Sequence, residues 1–382
     1  MTKIAIIQKE IPHYRVRFFE EVCAQGFTMG LDVTVYCAST GCPKTPYKFS
    51  HRSLAIHQIT RNKNGPFWMK RLTAALKGTD IIVAPQELQC LNVSYLWAIR
   101  HRLCRSWIWW GHGYNFQASV RSSGPTYMKE AIKHFMTKRS DGLITYTAGG
   151  ADYWRKQGMP EDRVTPYYNT IDVEGLRKAG ADITEPQLME LRHKLGLEGK
   201  RVLLFSGRLY AEKKVDFLLR AFAILKKAYP EVGLLIIGEG EERRKLEQLA
   251  AELKLQDVHF LGEIVDPKDT AAYFSLADLM VVPGLVGLAI VHGYAFELPL
   301  MTTECDFHSP EIEYLTQKSG VRTAHSENVY AAAIRNVLSS PVTLSTMEAA
   351  CLHTAQQLTL EASCDRFVRA IVKLSSSPWP KV

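Results

Sequence analysis

The segment FSGRLYAEKKVDFLLRAF, residues 205–222, combines a glycine with two cations at the start of a helical pattern. Gly207 allows a tight turn, Arg208 can form paired bonds to phosphate oxygens, and Lys213 lies where the helix should begin. A helix N-terminus also attracts anions through free N–H groups and its macrodipole. These residues predict a diphosphate site that needs no metal. The alternative is that both cations are solvated surface charges.

A second group of residues suited to chemistry is SWIWWGHGYN, residues 106–115. The apolar run ends in a Gly-His-Gly loop, and ligands of doubly wound sheets collect at the carboxyl ends of strands. The flanking glycines would let backbone approach closely and leave the imidazole exposed. We therefore predict that His112 is catalytic, against the alternative of a structural histidine.

These groups require a framework of alternating strands and helices. Ten short apolar runs predict strands at 3–8, 31–38, 80–85, 106–111, 142–147, 201–207, 232–240, 258–262, 279–284 and 298–303. Amphipathic segments between them, such as VDFLLRAFAILKKAY, have helical periodicity. The alternation predicts an α/β chain with parallel sheets, in two Rossmann-like domains facing a cleft.

The predicted domain boundaries are 1–172 for the first domain, 173–360 for the second, and 361–382 for a C-terminal helix and tail. In the segment ASCDRFVRAIVKL, the residues Phe367, Val368, Ile371 and Leu374 share one face. This apolar face predicts a helix that closes back toward the first domain.

Composition indicates a cytoplasmic protein without a membrane span. No apolar run approaches the roughly 20 residues that cross a bilayer, and MTKIAIIQKE is typical of a first strand rather than a signal peptide. The eight cysteines contain no CxxC pair, which favours reduced thiols. No DxD segment lies at a suitable loop and the 12 histidines are scattered, so we expect neither a metal nor a cofactor.

Positive charge is concentrated in the first half of the chain. Residues 1–172 carry a balance of +11 and the remainder −3, which predicts an anionic partner for the first domain. No nucleic-acid-binding motif is present, so the candidates are an anionic membrane or a lipid diphosphate. The segments RNKNGPFWMKR (61–71) and IRHRLCRSW (99–107) mix cations with aromatic residues, as membrane-contacting surfaces do. Solvated charge is the alternative.

From about residue 160 to 320 the chain resembles the family 4 glycosyltransferases, a retaining group with the GT-B fold. The motifs that carry the resemblance, in the family's order, are GRLYAEK after the second domain's first strand, YYNTID (167–172), GEGEE (238–242), VHFLG (258–262), VVPG before the signature loop, and PEIEYL (310–315). Each motif is weak singly, and their order and spacing are specific. The likeness extends more weakly over nearly the whole chain.

This resemblance implies which residues bind a nucleotide-sugar donor. They are Gly207, Arg208, Lys213, Gly238, Leu261, Gly262, Gly287, Leu288, Ala289, His292 and Glu311. Arg208 and Lys213 would bind the diphosphate and act as catalytic residues that stabilise charge on the leaving phosphate. Backbone at Leu261 and Gly262 would meet the nucleobase, and 287–289 would offer N–H groups. Gly238 has the alternative of simply turning the chain.

The signature loop, residues 284–292, lacks both acids of the family pattern E-G-F-G-L-x-x-x-E. Gly284 replaces the first glutamate and His292 the second. Either the site has decayed to a binding scaffold, or the His292 imidazole makes the polar contact instead. We favour the second because the phosphate cations remain. Glu311 could approach the loop or could satisfy a helix start after Pro310.

The resemblance also bears on the first domain. His112 matches a histidine that meets the transferred sugar. The first strand-to-helix turn, where the family often has paired glycines, holds His13, Tyr14 and Arg15. This substitution predicts side chains that reach into the cleft and bind an acceptor. The alternative is a capping loop with Arg15 in solvent.

The sequence therefore predicts a retaining glycosyltransferase that acts on a nucleotide-diphosphate sugar. Its acceptor would be a hydroxyl of a lipid-linked surface glycan, at the inner face of the cell membrane. A nucleotide-sugar epimerase of the same fold and a non-catalytic nucleotide-sugar binder remain as alternatives.

Overall fold

The computed structural model describes residues 1–38, 47–60, 65–113 and 124–376, with backbone alone for 124–127. The chain divides into two compact units. One comprises Met1–Asp172 with Leu360–Val382, and the other Val173–Thr359.

The first unit is built on a parallel sheet. Its strands are β1 (Thr2–Ile7), β2 (Leu31–Ala38), β3 (His51–Leu54), β4 (Ile56–Gln58), β5 (Phe67–Met69), β6 (Ile81–Pro85), β7 (Ser106–Gly111), β8 (Gly142–Thr145) and β9 (Val164–Pro166). Seven of them pair in the order β3-β2-β1-β6-β7-β8-β9, and β4 and β5 form a separate antiparallel hairpin. The central strands are continuous apolar runs because both faces of the sheet are covered. A hydrophobic cluster packs on each face.

Five helices connect these strands in the described part of the first unit. They are α1 (His13–Thr28), α2 (Leu72–Ala75), α3 (Leu91–Ala98), α4 (Gly124–Lys138) and α5 (Ala148–Lys156). Parallel neighbours need such crossover connections, so the helices follow from the sheet.

The second unit repeats the design. Its strands are β10 (Arg201–Ser206), β11 (Val232–Ile237), β12 (Val258–Gly262), β13 (Leu279–Val281), β14 (Leu300–Thr303) and β15 (Gly320–Thr323). They form one parallel sheet in the order β12-β11-β10-β13-β14-β15. The order reverses beside β10, and the carboxyl ends of strands at such a point form a crevice for ligands.

Eight α-helices belong to the second unit. They are α6 (Val173–Ala181), α7 (Glu185–Lys194), α8 (Val215–Ala228), α9 (Arg243–Glu252), α10 (Pro267–Leu276), α11 (Ala289–Ala295), α12 (Glu327–Leu338) and α13 (Pro341–Gln357). In α8, Phe217, Leu218 and Phe222 are buried, whereas Lys226 and Lys227 occupy the last turn. Cations at that end suit the helix dipole.

The last helix, α14 (Leu360–Ser376), belongs to the first unit and confirms the predicted closing helix. All four residues of its predicted apolar face are buried. The Phe367 ring lies 4.8 Å from the Trp110 ring and 5.3 Å from the Phe18 ring. The C-terminal segment therefore completes the core of the unit that begins the chain.

All ten predicted strands are present, with ends that differ by a few residues. Sequence analysis missed β3, β4, β5, β9 and β15, which have only three or four residues each. The prediction that Phe67 and Met69 lie on a membrane-contacting surface is wrong, because both are buried in β5. Trp68 between them is exposed, as strand alternation requires. Residues 61–64 of that predicted surface lie outside the described residues.

Two further observations concern the described residues. None of their helices is both long enough and apolar enough to cross a bilayer. Their seven cysteines are all free thiols.

Candidate functional site

In the second unit, the ends of three neighbouring strands meet at glycines. The N–H of Gly207, after β10, donates to Ile237 O, and the N–H of Gly238 donates to Gly262 O at the end of β12. A Cβ atom on Gly238 would lie 2.0 Å from Gly207 O. This close backbone contact is enough to require glycine at position 238 without any ligand. The predicted role of Gly238 in binding stays a prediction. Leu261 and Gly262 are half-buried at the same edge.

Lys213 ends a short 3-10 turn, Ala211–Lys213, just before α8. Its side chain is 6% exposed, and its Nζ donates to Leu285 O over 2.7 Å. Its Cε lies 3.4 Å from the position that a Cβ on Gly207 would occupy. Burial lowers the pKa of Lys213 to about 8, although the Glu311 charge opposes this. The structure thus brings Gly207 and Lys213 together, and a buried ammonium faces the turn.

Arg208 differs from Lys213 in its surroundings. It is exposed on the turn that follows β10, on the same short loop as Lys213. The loop therefore carries one exposed and one buried cation. Its role in phosphate binding stays a prediction.

The signature loop is held by hydrogen bonds at successive residues. Leu285 N–H donates to Glu212 O over 2.9 Å, and Leu285 O accepts from Lys213. Val286 N–H donates to His308 Nδ1 over 3.1 Å, and Val286 O accepts from Ser309 N–H over 2.9 Å. Every polar backbone group of these two residues is therefore satisfied by the protein.

His308 is a site residue that sequence analysis missed. Its ring is 4% exposed, and Nε2 lies 2.9 Å from Thr303 O. A carbonyl only accepts, so Nε2 carries the proton and Nδ1 is the acceptor for Val286 N–H. Burial lowers the pKa of His308, which favours this neutral form. The signal in the sequence is the histidine of HSPE, two residues before the Glu311 turn begins at Pro310.

The backbone leaves no space for an acid at position 284. A Cβ atom there would lie 2.2 Å from Glu212 O and 2.5 Å from the carbonyl carbon of Lys213. Such distances are far inside van der Waals contact, so any side chain would push the Lys213 turn away from the loop. The signature loop therefore packs directly on the turn that carries the cation.

His292 lies on α11, half-buried. Its Nδ1 donates to Leu288 O of the preceding turn over 3.3 Å, and its ring lies 6.1 Å from the Phe274 ring. Gly287, Leu288 and Ala289 lead into this helix, and within the described residues no hydrogen bond uses their N–H groups. Whether His292 replaces the family's glutamate stays a prediction.

Glu311 is 3% exposed in the 3-10 segment Pro310–Tyr314. Its charge raises the pKa of Lys213, so the buried carboxylate and the buried ammonium share one region. The structure places Glu311 next to the signature loop through Ser309, which bonds Val286.

In the first unit, His112 follows β7 as predicted. Its ring lies 4.5 Å from the Tyr146 ring, edge to face. A Cβ on Gly113, where φ is +96°, would lie 2.5 Å from the Gly150 Cα, so glycine is needed there. Desolvation by surrounding protein, with the Lys133 and Arg15 charges, lowers the pKa of His112 to about 4, although the residue keeps an exposed surface. This shift favours the neutral imidazole, which can donate or accept a hydrogen bond.

Arg15 is buried in the first unit, so the alternative that places its side chain in solvent is wrong, and its role in acceptor binding stays a prediction. His13, Tyr14 and Arg15 form the first turn of α1; the first two are exposed, and Arg15 is 7% exposed. The guanidinium donates to the Tyr167 hydroxyl over 3.0 Å and lies 5.2 Å from the Trp110 ring centre. Helical periodicity turns Arg15 inward, where aromatic faces stabilise its charge.

Further charged residues lie near His112 that sequence analysis did not single out. Glu87 follows β6, the strand beside β7, and desolvation raises its pKa although Lys9 and Lys133 oppose the shift. Lys9 and Glu87 also line a small recess with Ile7, Phe67 and Pro85. The sequence signal available for both residues was their position, because each is the second residue after a strand of one parallel sheet.

Among the described residues, no group of three or more His, Cys, Asp or Glu side chains could hold a metal ion.

Tyr114 and Asn115 of the predicted His112 loop lie outside the described residues.

Comparison with known proteins bears on both units. Residues 200–340 match the family described as "Glycosyl transferases group 1". An "uncharacterized glycosyltransferase" of Haemophilus influenzae is 23% identical over 60% of this chain and 56% of its own length. The "alpha-monoglucosyldiacylglycerol synthase" of Streptococcus pneumoniae is 34% identical over 32% of this chain and 27% of its own. The matched parts thus span about half and about a quarter of these relatives.

The fold extends over the whole chain. The crystal structure of Anabaena HepE in complex with UDP has a TM-score of 0.75, covers 97% of this chain and 100% of its own, and is 15% identical. At that identity the likeness concerns the fold. The chain has the two-domain GT-B fold, and its residues 200–340 match the group 1 glycosyl transferases.

Proposed function

We propose that the protein is a retaining, metal-independent glycosyltransferase that moves a sugar from a nucleotide-diphosphate sugar to a hydroxyl group. The bond between the anomeric carbon and the diphosphate oxygen breaks, and a bond to the acceptor oxygen forms on the same face. The acceptor proton moves to the leaving phosphate, so no enzyme carboxylate is needed as a nucleophile. Cations that stabilise the leaving diphosphate lower the barrier.

The observation that carries the proposal is the buried ammonium of Lys213. One of its three N–H donors bonds Leu285 O within the described part of the chain. A pKa near 8 leaves it mostly protonated at neutral pH. A buried cation at the carboxyl end of β10, beside the reversal of strand order, fits a diphosphate. The match of residues 200–340 to glycosyl transferases and the UDP complex of HepE support this ligand class.

For the first unit we propose acceptor binding and the catalytic role of His112. A neutral imidazole can donate to or accept from sugar hydroxyls, and the exposed His13 and Tyr14 could contact the acceptor. A lipid-linked surface glycan fits the basic first half, and one relative is named for a diacylglycerol product. We place the reaction at the cytoplasmic face of the membrane.

The test is isothermal calorimetry with a panel of nucleoside diphosphates and sugar nucleotides, in the presence of EDTA. Lys213→Met and Arg208→Ala should each weaken diphosphate binding about tenfold to a hundredfold, because charge-assisted hydrogen bonds contribute about 1.5–3 kcal/mol. Lys227→Met, an exposed cation on α8, is the matched control. Unchanged binding in both site variants, or a requirement for added metal, would contradict the proposal.

A second assay separates transfer from the alternatives. Release of nucleoside diphosphate that depends on membrane lipid extract indicates transfer, and a changed sugar nucleotide without acceptor indicates an epimerase. Tight binding without turnover indicates a binding protein. The two relatives described above are named for glycosyl transfer or a glucosyl product, which favours the first outcome.

A further inference from the structure

Helix α4 presents apolar side chains to solvent, whereas a helix that packs on a protein core normally buries them. Met128, Ile132 and Phe135 are 62%, 45% and 51% exposed. Their spacing of four and three residues places them on one face, and the exposed Ala131 lies between them. We call Met128, Ile132 and Phe135 the outer stripe. A surface helix normally turns such a stripe toward the core.

The opposite side of α4 is the side that packs on the protein. Met136 and Thr137 are buried, and Thr137 Oγ1 accepts from Gln86 Nε2 over 3.0 Å. The His134 ring lies 4.6 Å from the Trp154 ring of α5. These contacts determine which side faces inward, so the exposure of the outer stripe follows from specific packing rather than from a loosely attached helix.

Basic residues border the outer stripe. Lys129, Lys138 and Arg139 are exposed, and the Arg139 guanidinium lies 4.1 Å from the Phe135 ring centre. Residues 124–139 contain four Lys or Arg and one Glu. A second copy of this helix would bring like charges together. An anionic bilayer instead supplies acyl chains for the stripe and phosphates for the cations.

We propose that the outer stripe of α4 and its bordering cations form a docking face for an anionic lipid bilayer, with α4 lying along the headgroup region. This inference rests on the proposed function, because it specifies how a lipid-linked acceptor reaches the first unit. Single scattered apolar residues on a surface need no explanation, but three on one helical face do.

The same helix also connects this face to the edge that holds His112. The charge of Lys133, on the protein side of α4, acts on both Glu87 and His112. Docking through α4 therefore places the membrane surface near the end of β7. A hydroxyl group carried just above a lipid anchor would then be delivered to the residues proposed to bind it.

The test uses the full chain and vesicles in a co-sedimentation assay without nucleotide. Vesicles of phosphatidylcholine with 30% phosphatidylglycerol are compared with phosphatidylcholine alone. We expect binding to the anionic vesicles that decreases with added salt. The double variant Ile132→Ser/Phe135→Ser should lower the partition coefficient about tenfold or more, and Lys129→Gln and Lys138→Gln about fivefold each.

Val342→Ser is the control, because Val342 is 77% exposed on α13 of the second unit. Exposed substitutions should leave the melting temperature unchanged, so loss of binding cannot come from unfolding. Wild-type binding by the double variant, or no binding of the wild type to anionic vesicles, would overturn the inference. A concentration-dependent dimer that the double variant abolishes would overturn it too, and would assign the stripe to self-association.

Diphosphate binding is measured separately on the same variants and should not change. If vesicles bind through α4 but no nucleoside diphosphate binds at all, the docking face stands and the proposed transfer reaction fails. If nucleotides bind and vesicles do not, the proposed donor binding stands and the docking face fails.

Discussion

At the scale of single residues, the proposed donor site depends on buried polar side chains with defined partners. Lys213 and His308 are both nearly inaccessible, and each bonds a neighbouring residue of the signature loop, Leu285 and Val286. Buried polar groups are costly unless they are hydrogen-bonded. The two side chains therefore hold the loop in one conformation and depend on that conformation in return.

Replacing His308 should loosen the signature loop. His308→Phe leaves Val286 N–H and Thr303 O without partners, and an unsatisfied buried group costs about 1–3 kcal/mol. We expect lower unfolding free energy in urea and weaker diphosphate binding. His308→Gln, which keeps one donor and one acceptor, should lose less. The control is His353→Gln, an exposed histidine on α13. A larger loss in the Gln variant than in the Phe variant would show that ring volume matters more than hydrogen bonding.

Acid should weaken the same loop in the wild type. Burial lowers the pKa of His308 in the folded state, and the Arg322 and Lys213 charges lower it further. Below about pH 6.5 an unfolded histidine gains a proton, whereas folded His308 resists it. The stability contributed by the neutral ring is complete above that pH and decreases as the pH falls. The difference in melting temperature between wild type and His308→Gln should shrink toward pH 5, and a constant difference would contradict this.

His112 should behave as a neutral group throughout the ordinary pH range. Its pKa near 4 predicts no ionisation of this residue between pH 5.5 and 8. His112→Ala should lower turnover more than it changes the donor dissociation constant, because the imidazole is proposed to contact the transferred sugar. The measurement is the pH profile of turnover in wild type and His112→Asn. A bell-shaped pH profile of turnover with an inflection near pH 6.5 in the wild type, absent in His112→Asn, would contradict the prediction that His112 stays neutral.

At the scale of elements, the proposed donor site is built on the close contact between the signature loop and the Lys213 turn. Leu285 N–H bonds Glu212 O, and Gly284 packs on the same backbone. Thr303 at the end of β14 adds a bond from its hydroxyl to Pro283 O, 2.6 Å long. The carboxyl ends of β10, β13 and β14 are therefore joined through one loop.

This contact predicts that position 284 accepts no side chain. In Gly284→Ala the added Cβ would meet Glu212 O at 2.2 Å, and relieving such overpacking costs about 1–3 kcal/mol. We expect a lower midpoint in urea denaturation and a displaced Lys213 turn. Gly287→Ala is the matched control, because its Cβ would meet Ser309 Oγ at an ordinary 3.5 Å. Equal stability of the two variants would show that the loop lies farther from the turn.

At the scale of the whole molecule, the first unit depends on both ends of the chain. Helix α14 packs on α1, and Ser363 Oγ donates to Tyr168 O over 2.8 Å. The Phe367 ring contacts three other aromatic rings, those of Phe18, Trp110 and Tyr167. The C-terminal helix is therefore a structural part of the first unit rather than an appended tail.

Truncating Phe367 should destabilise the first unit strongly. Phe367→Ala removes a fully buried ring, and such changes cost about 3–5 kcal/mol. Val372→Ala on the exposed side of α14 should change stability by under about 0.5 kcal/mol. The measurement is urea unfolding followed by tryptophan fluorescence, since Trp110 lies beside Phe367. A loss below about 1 kcal/mol would show that α14 contributes little to the core.

Much of this architecture could be read from local patterns. Continuous apolar runs predict buried parallel strands, and the intervening helical periodicity predicts crossovers, because both depend on the repeat of the backbone itself. The same logic places Lys213 at a helix start and His112 after a strand. Such residues are found because their position relative to one element suffices.

Other features depend on which elements become neighbours, and periodicity does not carry that information. From the sequence, Arg15 is predicted to be an exposed cation, but α1 places it against Trp110 and Tyr167. Phe67 is predicted to be a surface aromatic, but it is buried in β5. His308 gains its role from Val286, 22 residues away. The apolar spacing of the outer stripe predicts a face buried in the core. In the structure the side of α4 with His134 and Met136 packs on the protein, so the stripe is exposed. The periodicity of apolar residues in the sequence shows that a helix or strand has an apolar face. Only the long-range contacts of the tertiary structure determine whether that face is buried and against which element.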